Sequence, residues 1–101
     1  RFRPYAPLLV LIGEADDWTP AAPCVDLAQA AQRNGAAMDI VTYPDAYHDF
    51  DSPGQDGVRL RKDVPNGVNP GRGVHTGPNP AAREAAKARV LAFWREHLKP
   101  L

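Results

Sequence analysis

The 101-residue chain lacks features that several protein classes require. Its single cysteine, Cys24, cannot form an internal disulfide, and no CxxC or Cys/His spacing typical of a structural zinc site occurs. Basic and acidic side chains number 12 each, so there is no broad basic field to attract nucleic acid. The longest apolar run, Leu8 to Ile12, is far too short to cross a bilayer. We therefore expect a small globular domain that binds neither nucleic acid nor membranes.

The start of the chain gives no localisation signal. Its first residue is Arg1 instead of Met, and no charged segment leads into an apolar core and a small-residue cleavage site. We expect that the start has been removed or that the chain is a piece of a longer product. The compartment stays unassigned.

Two apolar segments predict parallel β-strands. The run from Pro7 to Gly13 is apolar at consecutive positions, as in a central strand covered on both faces. The segment from Met38 to Tyr43 is rich in β-branched residues and is followed by Pro44. A helix between them would make a right-handed crossover, which brings the C-terminal ends of both strands to one edge of the sheet.

Two other segments have the spacing of helices. The first begins at Thr19-Pro20 or Ala22-Pro23 and ends at Asn34-Gly35, with one apolar face formed by Cys24, Leu27, Ala28 and Ala31. The second begins at Asn79-Pro80, with Asn79 as N-cap, and should dock on the sheet through Ala82, Ala86, Val90, Trp94 and Leu98. Residues 52–80 hold six glycines and five prolines, so we expect a long loop without regular elements.

Polar side chains follow both predicted strands. Asp16 and Asp17 come just after the first strand and His48 just after the second. Neighbouring strands lie about 4.8 Å apart, so an aspartate and a histidine at this edge can form a hydrogen bond. A carboxylate that accepts from one imidazole nitrogen orients the ring and stabilises the imidazolium when the other nitrogen takes a proton. His48 is then a candidate general base.

A metal site is an alternative for the same region. Asp45, His48, Asp49 and Asp51 fall within seven residues, and carboxylates with imidazole bind divalent ions. The pattern does not continue as a calcium loop, because Leu60 stands where a bidentate Glu is needed. We predict no metal ligand and no cofactor.

Segments 13–20, G-E-A-D-D-W-T-P, and 43–50, Y-P-D-A-Y-H-D-F, resemble the C-terminal part of the dienelactone hydrolase family. The resemblance implies the α/β-hydrolase fold and cleavage of a small-molecule ester or lactone. Asp16 matches the acid of the catalytic triad and His48 its base, while Asp17 is the alternative acid if the loop register differs. Otherwise Asp17 is expected to be a solvated loop carboxylate or a charge at the start of the helix.

The chain departs from the family at the nucleophile. This residue is usually a cysteine in dienelactone hydrolases proper and a serine in other α/β-hydrolases, and it precedes the acid and the base on a G-x-S-x-G-like elbow. Here the only serine, Ser52, lies in a turn after the base, and Cys24 lies on an apolar helix face. The resemblance therefore implies that residues 1–101 are the C-terminal part of a single α/β-hydrolase-like domain, with a Gly/Pro-rich loop at 52–80. The βαβ unit and terminal helix would be incomplete on their own, with the nucleophile outside the chain.

A non-enzymatic alternative stays open. A truncated or degenerate hydrolase-like module would assemble through its unpaired strand edge, and the same edge predicts self-association of the isolated chain. Two further histidines have simpler explanations than catalysis. His75 is expected to be a loop histidine, and His97 a cation at a helix C-terminus.

Overall fold

The computed structural model describes residues 2–54 and 56–98 and has an α/β architecture. In chain order the elements are β1 (Leu8–Gly13), α1 (Ala21–Arg33), β2 (Met38–Tyr43), β3 (Arg59–Arg61), β4 (Val74–Thr76) and α2 (Pro80–His97). Strands β1 and β2 pair in parallel along their whole length, from Leu8 opposite Met38 to Gly13 opposite Tyr43. The predicted βαβ unit is therefore confirmed.

The two helices cover opposite faces of this sheet. On one face Ala28 and Ala31 of α1 pack with Met38, and on the other Ala82 and Ala86 of α2 pack with Tyr43. Alternate residues of β1 follow the same division, because successive side chains of a strand point to opposite faces. Val10 lies in the first cluster and Leu11 in the second.

Helix α1 begins between the two predicted starts. Pro20 occupies the N-cap position in an extended conformation and Ala21 is the first helical residue. At the other end Gly35 has a φ of 82°, and its N–H bonds to the carbonyl of Gln32, as the Asn-Gly signal predicts. The predicted apolar face is covered only in part, because Leu27 is 43% exposed.

Helix α2 begins as predicted. The Asn79 side chain accepts from the backbone N–H of Ala82 at 3.1 Å, and Pro80 is the first helical residue. The predicted docking face is buried in the first two turns only. Val90 is half-buried, whereas Leu91 and Trp94 are 50% and 52% exposed, so the second half of this apolar face is covered only in part among the described residues.

The expectation that residues 52–80 lack regular structure is wrong. Strands β3 and β4 form a short antiparallel pair in which Leu60 lies opposite His75. Each strand has three residues, too few for an alternating pattern to stand out in a glycine-rich segment. Gly73 has a φ of 79°, and a Cβ there would lie 2.5 Å from the Arg61 carbonyl oxygen, so glycine permits the pairing where its abundance suggested a loop.

Neither helix of the described residues has both the length and the apolar character needed to cross a membrane.

Candidate functional site

The loops that follow β1 and β2 are joined by backbone hydrogen bonds. The N–H of Glu14 donates to the carbonyl of Tyr43 at 2.8 Å, and that of Ala15 donates to the carbonyl of Ala46 at 3.0 Å. At the end of β1 a Cβ on Gly13 would lie 2.1 Å from the Ala46 carbonyl oxygen, so only glycine allows the two loops to come this close. The two loops are thus held against each other at the edge of the sheet.

Asp16 is buried at this edge of the sheet, and its carboxylate accepts hydrogen bonds at both oxygens. Its Oδ1 accepts from the backbone N–H groups of Trp18 at 2.9 Å and Thr19 at 2.7 Å. Its Oδ2 lies 3.0 Å from Nδ1 of His48. The side chain is 6% exposed, so these bonds replace the water that burial removes. They also fix the direction in which Oδ2 points.

His48 is held through its ring and its backbone. A carboxylate only accepts, so the bond to Asp16 puts a proton on Nδ1 and makes Nε2 the acceptor of the neutral ring. The Trp18 ring packs on the imidazole with centroids 4.6 Å apart. The backbone of His48 forms a parallel bridge with Thr76, and its carbonyl accepts from the N–H of Gly77 at 3.1 Å. The ring is 37% exposed, and no residue in 2–54 or 56–98 is bonded to Nε2.

An open cavity of about 740 Å³ lies beside the pair. Its floor is apolar and comes from β1 and α2, including Leu11, Val90 and Trp94. Asp16 and His48 lie on its border. The pair therefore faces a space large enough for a small molecule or for a further element of protein.

Asp17, the alternative acid, is bound to a different histidine. Its Oδ1 accepts from the backbone N–H of His75 at 2.8 Å, and its Oδ2 lies 2.5 Å from Nδ1 of the same residue. The expectation of a solvated carboxylate is wrong, as is that of a simple loop histidine for His75. Partial burial raises the pKa of Asp17, but the two bonds from His75 outweigh it, and the pKa lies below its usual value of 3.8.

Sequence reasoning missed this second pair because its partners are 58 residues apart. The only sequence signal was the order Val-His-Thr at 74–76, and three residues are too few for such an alternation to stand out. His97, by contrast, lies in the last turn of α2 as expected, with its ring against Phe93.

Within the described residues, neither Ser52 nor Cys24 is hydrogen-bonded to His48. The Ser52 hydroxyl donates to the carbonyl of Asp49 at 2.8 Å, within a turn. Cys24 lies in the first turns of α1, on the opposite side of the sheet from α2. In the described ranges no group of three or more His, Cys, Asp or Glu side chains is arranged to hold an ion.

Comparison with protein families identifies a family for this chain. The sequence profile of the dienelactone hydrolase family matches residues 3–98, nearly the whole chain. No curated protein and no solved structure matches at a significant level.

Proposed function

This chain belongs to the dienelactone hydrolase family, and from that premise we propose that it acts in a hydrolase that cleaves a carboxylic ester or lactone. His48 is the general base and Asp16 orients it. The observation that carries the proposal is the 3.0 Å contact between Asp16 Oδ2 and His48 Nδ1, in which the carboxylate is buried and the imidazole reaches an open cavity.

The chemistry follows from that contact. His48 Nε2 takes the proton of the nucleophile as the nucleophile attacks the ester carbonyl, and Asp16 stabilises the imidazolium that results. The imidazolium then gives the proton to the leaving alcohol. Water, activated by the same Nε2, hydrolyses the acyl intermediate. This series of steps needs no metal and no cofactor.

We further propose that the nucleophile belongs to a segment outside these 101 residues, so that the chain forms the C-terminal part of the catalytic domain. Three observations support this. Among the described residues neither Ser52 nor Cys24 is hydrogen-bonded to His48, and the Ser52 hydroxyl donates to the carbonyl of Asp49 instead. Among the described residues β1 pairs only with β2, so its other edge is open to a further strand. The cavity beside the Asp16–His48 pair also adjoins the exposed Trp94 on α2.

The open edge of β1 also supports a second function, assembly without catalysis. A strand edge with unpaired N–H and C=O groups, flanked by the exposed Leu91 and Trp94, favours pairing with a second copy of the chain. Sedimentation of the 101-residue chain tests this directly. Association that is lost when Leu91 and Trp94 are replaced by Lys supports it, and a monomer at high concentration contradicts it.

The catalytic proposal is tested by ester and lactone hydrolysis with the full-length gene product and two histidine variants. His48→Ala should lower kcat by about 10⁴-fold or more, because loss of the base in a triad removes most of its catalysis. His97→Ala is the matched control, since this histidine lies on the last turn of α2, and it should retain normal turnover. Full activity of His48→Ala would contradict the proposal. The 101-residue chain alone should be inactive, and His48-dependent turnover by it would contradict an external nucleophile.

A further inference from the structure

The Asp17–His75 pair lies directly beside the Asp16–His48 pair. His75 meets the Asp17 carboxylate with two groups at once, its backbone N–H and its ring Nδ1, one on each carboxylate oxygen. Such a two-point contact fixes orientation as well as distance. The His75 ring also packs against that of Tyr47, with ring centroids 5.3 Å apart.

The two pairs belong to one closed cycle of contacts. Asp16 and Asp17 share a peptide bond, as do His75 and Thr76. Asp17 is hydrogen-bonded to His75, the backbone of Thr76 forms a bridge with that of His48, and His48 returns to Asp16. A closed cycle of contacts limits the distance between any two of its residues, because moving one residue strains the contacts of all the others.

We propose that Asp17 and His75 are positioning residues that hold Asp16 and His48 at hydrogen-bonding distance. Asp17 fixes the loop that carries Asp16, and His75 fixes the strand that supports the backbone of His48. The catalytic consequence rests on the proposed function, whereas the geometric effect on the Asp16–His48 contact does not.

A second attachment joins the loop that carries Asp16 to the hairpin formed by β3 and β4. The carbonyl of Asp17 accepts from the N–H of Val68 at 2.7 Å, so this residue is tied by its backbone to the segment that joins β3 to β4 and by its side chain to β4 itself. A Cβ on Gly67 would lie 2.9 Å from the same carbonyl oxygen, so the segment lies tightly against the loop. Loss of the His75 ring leaves these backbone contacts in place, so it should loosen the Asp16 loop without detaching it from the hairpin.

The experiment measures the Nδ1–H proton of His48 by ¹⁵N-edited NMR in the full-length gene product. Its exchange with water reports how often the bond to Asp16 opens. His75→Ala removes the contact between the imidazole and the Asp17 carboxylate and should speed this exchange on the order of tenfold, because hydrogen bonds to a charged group are stronger than neutral ones. His75→Gln keeps a donor and should restore most of the protection. Leu60→Ala is the control, because Leu60 lies opposite His75 in the same hairpin but is not part of the closed cycle of contacts.

Unchanged exchange at His48 in His75→Ala would overturn the proposal, and so would an equal change in Leu60→Ala, which would indicate a general effect of the hairpin. If His75→Ala does not fold, Asp17→Asn decides. It keeps the acceptor for the backbone N–H of His75 and weakens the ring contact, so exchange should again rise, and no rise overturns the proposal.

Turnover gives an independent readout. His75→Ala should lower kcat about tenfold with KM changed less than about twofold, because the variant alters the base and leaves substrate binding intact. If no variant or wild-type protein hydrolyses esters, the proposed function fails while the NMR comparison still decides the positioning role.

Discussion

Two substitutions of Asp16 should separate its structural role from its proposed catalytic role. Asp16→Ala removes every acceptor at once, which leaves the N–H groups of Trp18 and Thr19 and the ring of His48 without their partner. Asp16→Asn keeps Oδ1 for the two backbone groups but replaces Oδ2 with an amide NH₂, which donates and cannot accept from His48 Nδ1.

The magnitudes follow from these bonds. A partly buried donor that loses its acceptor costs about 1 to 3 kcal/mol, so Asp16→Ala should lower the free energy of unfolding by about 2 to 4 kcal/mol. Asp16→Asn should lower it by about 1 kcal/mol or less. For turnover the order differs. Asp16→Asn should still reduce kcat about 10⁴-fold, because the amide favours the tautomer that places the proton on Nε2, where the base must be free.

Urea denaturation monitored by circular dichroism measures the first effect, and initial rates of ester hydrolysis by the full-length gene product measure the second. An Asp16→Asn variant as unstable as Asp16→Ala would refute the assignment of Oδ1 to the backbone groups. An Asp16→Asn variant with kcat within about tenfold of wild type would refute the orienting role of Oδ2.

Three further predictions concern the supports of the site. Gly13→Ala should destabilise the fold by about 2 kcal/mol or more, because its Cβ would meet the Ala46 carbonyl oxygen at 2.1 Å; Gly57→Ala, with open space around it, is the matched control in the same urea assay. The lowered pKa of Asp17 should contribute stability that is fully present above about pH 4 and is lost as the pH falls below 3.8, so Asp17→Asn should show a flatter stability profile in this range, and parallel profiles would contradict the pairing. Asn79→Ala should cost about 1 kcal/mol through loss of the α2 N-cap, whereas Asn79→Asp should cost less, with thermal melting as the measurement.

The elements that sequence reasoning predicted well are those built from local patterns. The strand Met38–Tyr43 has the predicted bounds, and the N-cap at Asn79 is where the Asn-Pro signal indicated. In both, neighbouring residues carry the information, as β-branched density in one case and a capping side chain beside proline in the other. The hairpin could not be predicted in this way, because the contacts that hold it, such as Asp17 with His75, join residues far apart in the chain.

The site, like the fold, has one part that the sequence predicts and one part that it does not. Its first pair is predictable because parallel strands joined by a crossover helix bring their C-terminal ends together, which puts Asp16 and His48 at one edge of the sheet. Sequence alone could not decide which of the two adjacent aspartates would face which histidine. Their side chains leave a tight loop in different directions, and a shift of the loop by one residue would exchange the carboxylates.

The register of that loop therefore decides which aspartate contacts His48. It is set by two backbone bonds, from Glu14 to Tyr43 and from Ala15 to Ala46, together with the close approach that glycine allows at position 13. None of these groups belongs to the Asp16–His48 pair itself. A substitution that shifts this register would leave both carboxylates in the chain and still separate His48 from its partner, so the chemistry of the site depends on backbone packing at the end of β1 as much as on the presence of Asp16.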